Sequence, residues 1–289
     1  MRVKVSALEF NKDKCFLNGD LFTGVGFCVE EARVVRVVEY KSGTELDAYQ
    51  SAWFCTSEKK ECLDKDDLES NDGLEPFLYE GERFSGIAYD FDGDSCVGEL
   101  LFENGLISEE VSFYESGAPA FYEGVNDGLE QCISWYPDGS VKQFNIVYIG
   151  DFRADINFDE QGRLKSAVLN GDFVVGIGKV KEQLKYNKID CFGFFENIVV
   201  APYLYLSGSA VNDEFVRYIE MGSGLDDTQK VALRNTSLSA DGFTALARSQ
   251  SIEEIVVDDD RSMVTEALKG LKGKTPDCFV ELNREEVLV

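Results

Sequence analysis

The chain has 289 residues, 44% of them hydrophobic, which is enough for one or two packed domains and too many for a disordered protein. With 54 acidic against 28 basic side chains the formal net charge is −26, so the surface repels nucleic acid and anionic lipid and speeds encounter with a basic partner. Histidine is absent, which removes the serine and cysteine triads in their usual forms and the common zinc ligand sets.

The N-terminal stretch "MRVKVSALEFNKDKCF" has no continuous apolar segment of the kind a signal peptide needs, and no run of eighteen apolar residues follows anywhere. A cytoplasmic location is expected. Eight cysteines are scattered without a Cys-x-x-Cys pair, as small buried hydrophobes of a reducing compartment would be. Neither a metal nor a cofactor is expected.

From the start to about residue 178 the pattern is one of short alternating strands punctuated by glycine. Gly81, Gly93, Gly105 and Gly117 stand twelve residues apart, and Gly139, Gly150, Gly162 and Gly171 continue the series at intervals of eleven, twelve and nine. Each interval fits one strand and a turn, so the reading is a succession of β-hairpins. The segment "YDFDGDSCVGEL" (89–100) places Asp90, Asp92 and Asp94 at alternate positions like a calcium loop. That loop would need glycine at its sixth position and glutamate at its twelfth, which here are Ser95 and Leu101. A hairpin turn at Asp92-Gly93 is expected instead. Residues 44–77, dense in charge, read as a solvated loop inserted in the sheet.

Two segments match beyond turn spacing: "LNGDLFTGVGF" (17–27) and "LYEGERFSGIAY" (78–89). Their shared order of apolar residue, Gly, acid, Phe, Ser or Thr, Gly and aromatic resembles the MORN repeat. Later units such as "FYESGAPAFYEG" resemble the divergent MORN variants of bacterial antitoxins. The resemblance implies a long antiparallel sheet of β-hairpin repeats, with Phe22, Phe84, Phe113, Tyr122, Trp135, Tyr136 and Phe158 stacking from unit to unit.

The segment "VVGIGKV" (174–180) imitates a nucleotide loop but lacks a third glycine at 181 and a Ser or Thr after Lys179, so it is expected to close the sheet. Beyond residue 200 the period changes. The segments "YLYLSGSAVNDEFVRYI" (203–219), "KVALRNTSLSADGFTALA" (230–247) and "EEIVVDDDRSMVTEALKGL" (253–271) each run from alternating strand through polar turn to amphipathic helix. They resemble leucine-rich repeats, with "CFVEL" (278–282) as a last strand and Asn212, Ser239 and Ser262 as helix N-caps. The expected architecture is therefore a mainly β hairpin-repeat domain, residues 1–180, and a small α/β leucine-rich-repeat-like solenoid, residues 200–289. The two are expected to share an interface, since each needs a cap.

No catalytic set is assembled, and paired carboxylates mean little among 54 acids. The repeat pattern turns Ile255 and Val257 inward and leaves Tyr203, Tyr205, Lys230, Arg234, Glu254 and Asp258 on an open strand face, suited to a protein partner. Trp135 and Tyr136 on the hairpin sheet form a second candidate surface. By resemblance, the expectation is a non-enzymatic immunity protein or antitoxin that occludes a cognate toxin with a basic active-site surface, and that binds neither nucleic acid nor membrane. The alternatives are a MORN-type scaffold without a toxin, and a carbohydrate-directed hydrolase using paired carboxylates.

Overall fold

The structure is a computed structural model that describes residues 1–54, 60–71, 74–126, 128–148, 152–171, 199–221, 225–249, 251–259, 261–275 and 277–288. The protein is mainly β, and most strands pair antiparallel with their neighbours in the chain. It divides into two compact units: Met1–Val125 with Ser134–Gly139, and Asn126–Ile133 with Ser140–Val289. The linker expected between 180 and 200 and the "VVGIGKV" segment lie outside the described residues.

The first unit is built twice from one plan. β1 (Arg2–Lys4) leads through a 3-10 turn (Val5–Ala7) to β2 (Glu9–Asn11), β3 (Lys14–Leu17), β4 (Asp20–Leu21), β5 (Gly24–Glu30), β6 (Arg33–Lys41) and β7 (Thr44–Ala48). The order then returns as β8 (Glu61–Asp64), a second 3-10 turn (Lys65–Asp67), β9 (Glu69–Asn71), β10 (Leu74–Tyr79), β11 (Glu82–Arg83), β12 (Gly86–Asp92), β13 (Ser95–Glu103) and β14 (Leu106–Phe113). Backbone bonds repeat with it. Cys15 N to Gly43 O (2.9 Å), Phe22 N to Cys15 O (3.1 Å) and Gly43 N to Phe22 O (2.7 Å) recur as Phe77 N to Gly105 O (2.7 Å), Phe84 N to Phe77 O (3.1 Å) and Gly105 N to Phe84 O (2.7 Å).

The two small cores correspond residue by residue. Val3, Leu8, Cys15, Phe22, Val38 and Tyr40 form one; Leu63, Leu68, Phe77, Phe84, Leu100 and Phe102 form the other, joined by Ala88, whose counterpart is Gly26. The stretch 44–77, expected as a solvated loop, thus holds the opening of the second copy, with Leu63 and Leu68 buried. The aspartate motif is a hairpin, as expected, but its turn is Gly93-Asp94, because Asp92 already pairs with Ser95.

Each copy begins with a strand running parallel to its own long hairpin, β1 beside β5 and β8 beside β12. Glycine makes this approach possible. A Cβ on Gly24 would lie 2.0 Å from Met1 O, and one on Gly86 would lie 2.5 Å from Glu61 O. The opening strand also reaches the other copy's hairpin tip. Lys4 N donates to Asp94 O (2.8 Å) and Asp64 N to Ala32 O (2.9 Å), a reciprocal exchange that relates the copies by an approximate twofold. Equivalent residues meet near that axis: the Phe27 and Tyr89 rings lie 4.9 Å apart, and Lys4 pairs with Asp64 at 3.3 Å.

The copies differ most where Arg2 and Glu99 stand, since their counterparts are Cys62 and Val37. Arg2 Nη2 donates to the fully buried Glu99 carboxylate. The hydroxyls of Tyr49 (3.1 Å) and Ser51 (2.5 Å) donate to the same carboxylate. The guanidinium carbon lies 4.1 Å from the Phe113 ring centroid, 5.0 Å from Tyr49 and 5.3 Å from Phe27. Burial by itself works against the Arg2 charge, but Glu99, with Tyr49 and Cys96, together more than offset it and hold the pKa above the usual value. Burial, then Glu99, pushes the Tyr49 phenol up to about 12.

β15 (Pro119–Asn126) pairs antiparallel with β14, and β16 (Leu129–Trp135) follows. Of the expected stacking aromatics, Phe22, Phe84, Phe113, Tyr122, Trp135 and Phe158 are buried. Trp53, within the supposed loop, joins three of them, at 6.4 Å from Phe113, 5.9 Å from Tyr122 and 5.6 Å from Trp135.

In the second unit β17 (Val141–Tyr148), β18 (Phe152–Phe158) and β19 (Leu164–Gly171) form an antiparallel meander. β20 (Val200–Ser207) then adds to β19 in parallel, with Ser166 opposite Tyr205 and Ala167 opposite Leu206. From there the sheet stays parallel through β21 (Lys230–Arg234), β22 (Glu254–Asp258) and β23 (Phe279–Leu282), and β24 (Glu285–Glu286) folds back antiparallel at the edge. α1 (Asp213–Met221), α2 (Ala240–Leu246) and α3 (Ser262–Lys274) alternate with these strands. Leu204, Leu206, Val231, Leu233, Ile255, Val257 and Val280 are buried, as are Phe215, Phe243 and Leu268 from the three helices.

Two of the three expected caps form. Asn212 Oδ1 accepts from Glu214 N (3.0 Å) and Phe215 N (3.1 Å), and Ser239 Oγ accepts from Asp241 N (3.1 Å). Ser262 is not a cap: it is the first residue of α3, behind Arg261, which Asp259 holds through both backbone and guanidinium.

The buried Arg2–Glu99 pair generates a stability prediction. Arg2→Met alone leaves a carboxylate in a dry site and should cost about 3–5 kcal/mol, whereas Arg2→Met with Glu99→Leu should recover most of the loss. Urea unfolding of the two variants checks this; a double variant as unstable as the single one would contradict it.

Candidate protein-binding face

The parallel strands set the geometry of one open face by register. Tyr203, Lys230, Glu254 and Phe279 stand opposite one another across four strands; Tyr205, Ala232, Val256 and Glu281 form the next row, and Ser207, Arg234 and Asp258 the third. Adjacent strands lie about 4.8 Å apart and alternate residues about 6.6 Å apart, so Tyr203 and Phe279 stand about 14 Å apart. Tyr203 is 65% exposed, Tyr205 37% and Phe279 38%. Alternation accounts for this: the strand residues between them turn inward to the core, so side chains of opposite parity are driven out.

Two rows of this face carry ion pairs, while Glu281 in the middle row stands opposite Glu286 of β24. Lys230 Nζ lies 2.7 Å from Glu254, and Arg234 Nε lies 3.3 Å from Asp258. Asp258 and Arg234 are both more than half exposed, so their pair contributes little to stability and holds the side chains in place. All six residues expected on this face are brought together there. Phe279 was passed over in sequence, although the alternation of "CFVEL", with Val280 inward, leaves it outward.

Trp135 and Tyr136 do not make a comparable surface. Trp135 is buried in the first unit beside Trp53, its carbonyl accepting from the Tyr114 hydroxyl at 2.7 Å, and Tyr136 is half-buried. A cavity of about 760 Å³ opens in the first unit among Val37, Cys62 and Tyr89, with Arg33, Arg36 and Lys60 also in its lining. Among the described residues its lining has one carboxylate, Glu61, which pairs with Arg33 at 3.4 Å. Paired carboxylates occur elsewhere, on the sheet of the first unit, where Glu110 stands opposite Glu123. Burial, then Glu123, pushes the Glu110 carboxyl above its usual range.

No family model matches the chain, and no curated protein matches it. Among solved structures, the chain is similar to accessory secretory protein 1, 2 and 3 of Streptococcus pneumoniae (16% identity, 79% of this chain and 45% of that one, TM-score 0.20). It is also similar to a glycosylation-associated protein complex from Streptococcus agalactiae (13% identity, 75% of this chain and 39% of that one, TM-score 0.23). A third is the GtfA/B complex bound to UDP and GlcNAc (9% identity, 81% of this chain and 67% of that one, TM-score 0.18). The chain spans less than half the length of the first two.

The exposed aromatics should be dispensable for folding. Tyr203→Ala and Tyr205→Ala should each change unfolding free energy by less than about 0.5 kcal/mol, against about 2–5 kcal/mol for Leu206→Ala on the inner side of the same strand. Urea denaturation separates the two classes, and a large cost at Tyr203 would mark it as a packing residue.

Proposed function

We propose that this protein acts by binding another protein through the open face of its parallel strands, and that the partner is a basic protein. The observation that carries the reading is the exposure of Tyr203, Tyr205 and Phe279 on regular strands of one face, with the ion pairs Lys230–Glu254 and Arg234–Asp258 beside them. Aromatic side chains bring large contact area at low entropic cost, and a rigid sheet fixes them before the partner arrives. The stack of strand, turn and helix supports a leucine-rich-repeat-like reading of this part, and the duplicated hairpins support a MORN-like reading of the first unit.

The charge of −26 supports a basic partner and disfavours nucleic acid and anionic membrane. Among the described residues no helix is long and apolar enough to cross a membrane. The sharpest form of the proposal is an immunity protein whose toxin has a basic active-site surface, working in the cytoplasm. There an acidic protein would compete directly with a phosphate-bearing substrate.

The pairing of Asp258 with Arg234 alters where affinity should reside. Asp258 serves the rim, and the aromatic residues serve as anchors. The test is capture of a partner from cells that make the protein, its identification, and titration with purified components. Tyr203→Ala with Tyr205→Ala and Phe279→Ala should weaken binding by about 2 kcal/mol or more, roughly 30-fold, and Asp258→Asn by less than about 1 kcal/mol. Association should slow with added salt while dissociation changes less. Wild-type affinity in the triple variant would exclude this face.

A further inference from the structure

The duplication gives the first unit two equivalent places, and the chain fills one of them itself. At that place Arg2 lies on Glu99 against the Phe27 ring. At the other, Cys62 stands for Arg2, Val37 for Glu99 and Tyr89 for Phe27, and the space is the open cavity of about 760 Å³. Its volume is that of a small-molecule site, about 300–1,000 Å³ in general. The replacement of Glu99 by Val37 removes the carboxylate that would select a cation and leaves an apolar wall, continued by Ile87 and the Tyr89 ring.

The polar groups bordering the cavity select the opposite sign. Arg33, Arg36 and Lys60 line it. The Tyr79 hydroxyl and Glu61 engage the Arg33 guanidinium and Glu45 engages Arg36, which leaves Lys60 as the lining cation with no ion pair among the described residues, in a protein whose net charge is −26. The Tyr49 and Ser51 hydroxyls, which belong to the wall shared with the filled place, are turned to Glu99. We infer that this cavity is a binding site for a small anion with an apolar, ring-bearing body, the class of aromatic carboxylates and sulfonates: the body lies on Val37, Ile87 and Tyr89, and the anionic group meets Arg33 and Lys60.

The probe is 8-anilinonaphthalene-1-sulfonate, titrated by fluorescence into the folded full-length protein. One saturable site per chain is expected, weakened at least tenfold by Val37→Glu, which puts back the carboxylate of the filled place, and about threefold or more by Arg33→Gln with Lys60→Gln. The uncharged analogue N-phenyl-1-naphthylamine should bind more weakly than the sulfonate. Circular dichroism confirms that each variant is folded, and Ile87→Trp, which fills the cavity without adding charge, replaces Val37→Glu if that variant does not fold. Absence of saturable binding, or binding untouched by these substitutions in folded protein, would overturn the site. Equal affinity for the uncharged analogue would overturn its selection for an anion.

Discussion

The parallel pairing of Leu164–Gly171 with Val200–Ser207 is the constraint on which the second unit's surface depends. Up to that pair the sheet of this unit is a meander of antiparallel hairpins, and after it each strand through Phe279–Leu282 runs the same way. Setting Ala167 opposite Leu206 commits Leu204 and Leu206 to the inner side and Tyr203 and Tyr205 to the outer one. Register then carries that choice to Val231, Ile255 and Val280 inside, and to Lys230, Glu254 and Phe279 outside. A shift of one residue would exchange the two sides and expose the core, so burial of the inner row is what holds the outer row in place. Gly208 seals the junction, because a Cβ there would fall 2.1 Å from Leu169 O.

The first unit solves a different problem. Each copy of its plan encloses only a few buried side chains, too few to be stable alone, and the exchange of β1 and β8 between hairpins joins the two cores. Duplication also leaves an interior position on each side of the approximate twofold. An ion pair occupies one, and is tolerable there because Tyr49, Ser51 and three aromatic rings satisfy or shield it. The other holds Cys62 and Val37 in place of both charged residues, so no charge is buried there without a partner. The open cavity lies at that second position, bordered by Arg33 and Lys60.

Much of this was legible in the sequence where a local rule decided it. The matching segments 17–27 and 78–89 marked the centre of each copy, and the glycine spacing marked the hairpin turns. Alternation in 203–207, 230–234 and 254–258 separated inner from outer residues without any knowledge of the fold. The start of the second copy was hidden because "CLDKDDLESN" keeps the apolar Leu63 and Leu68 of its counterpart but surrounds them with charge, which reads as a loop. β10 is two residues longer than β3, which shifts the spacing of the copies from 60 to 62 and blurs the repeat further. The Arg2–Glu99 pair spans 97 positions, and no local pattern ties such residues together. The cap expected at Ser262 failed because Asp259 fixes the chain through Arg261, one residue before the helix.

An acidic surface and rigid aromatic residues have separate tasks in this account. Long-range charge brings a basic partner to the protein, and short-range contact at the strand face holds it. Hydroxyl-radical footprinting of the free protein and of its partner complex reads that division side chain by side chain. Tyr203, Tyr205 and Phe279 should react readily when free and be protected in the complex, while Phe10 and Leu21, which are exposed on the first unit, should react equally in both. Protection of Phe10 and Leu21 with Tyr203, Tyr205 and Phe279 unchanged would contradict the assignment of the strand face.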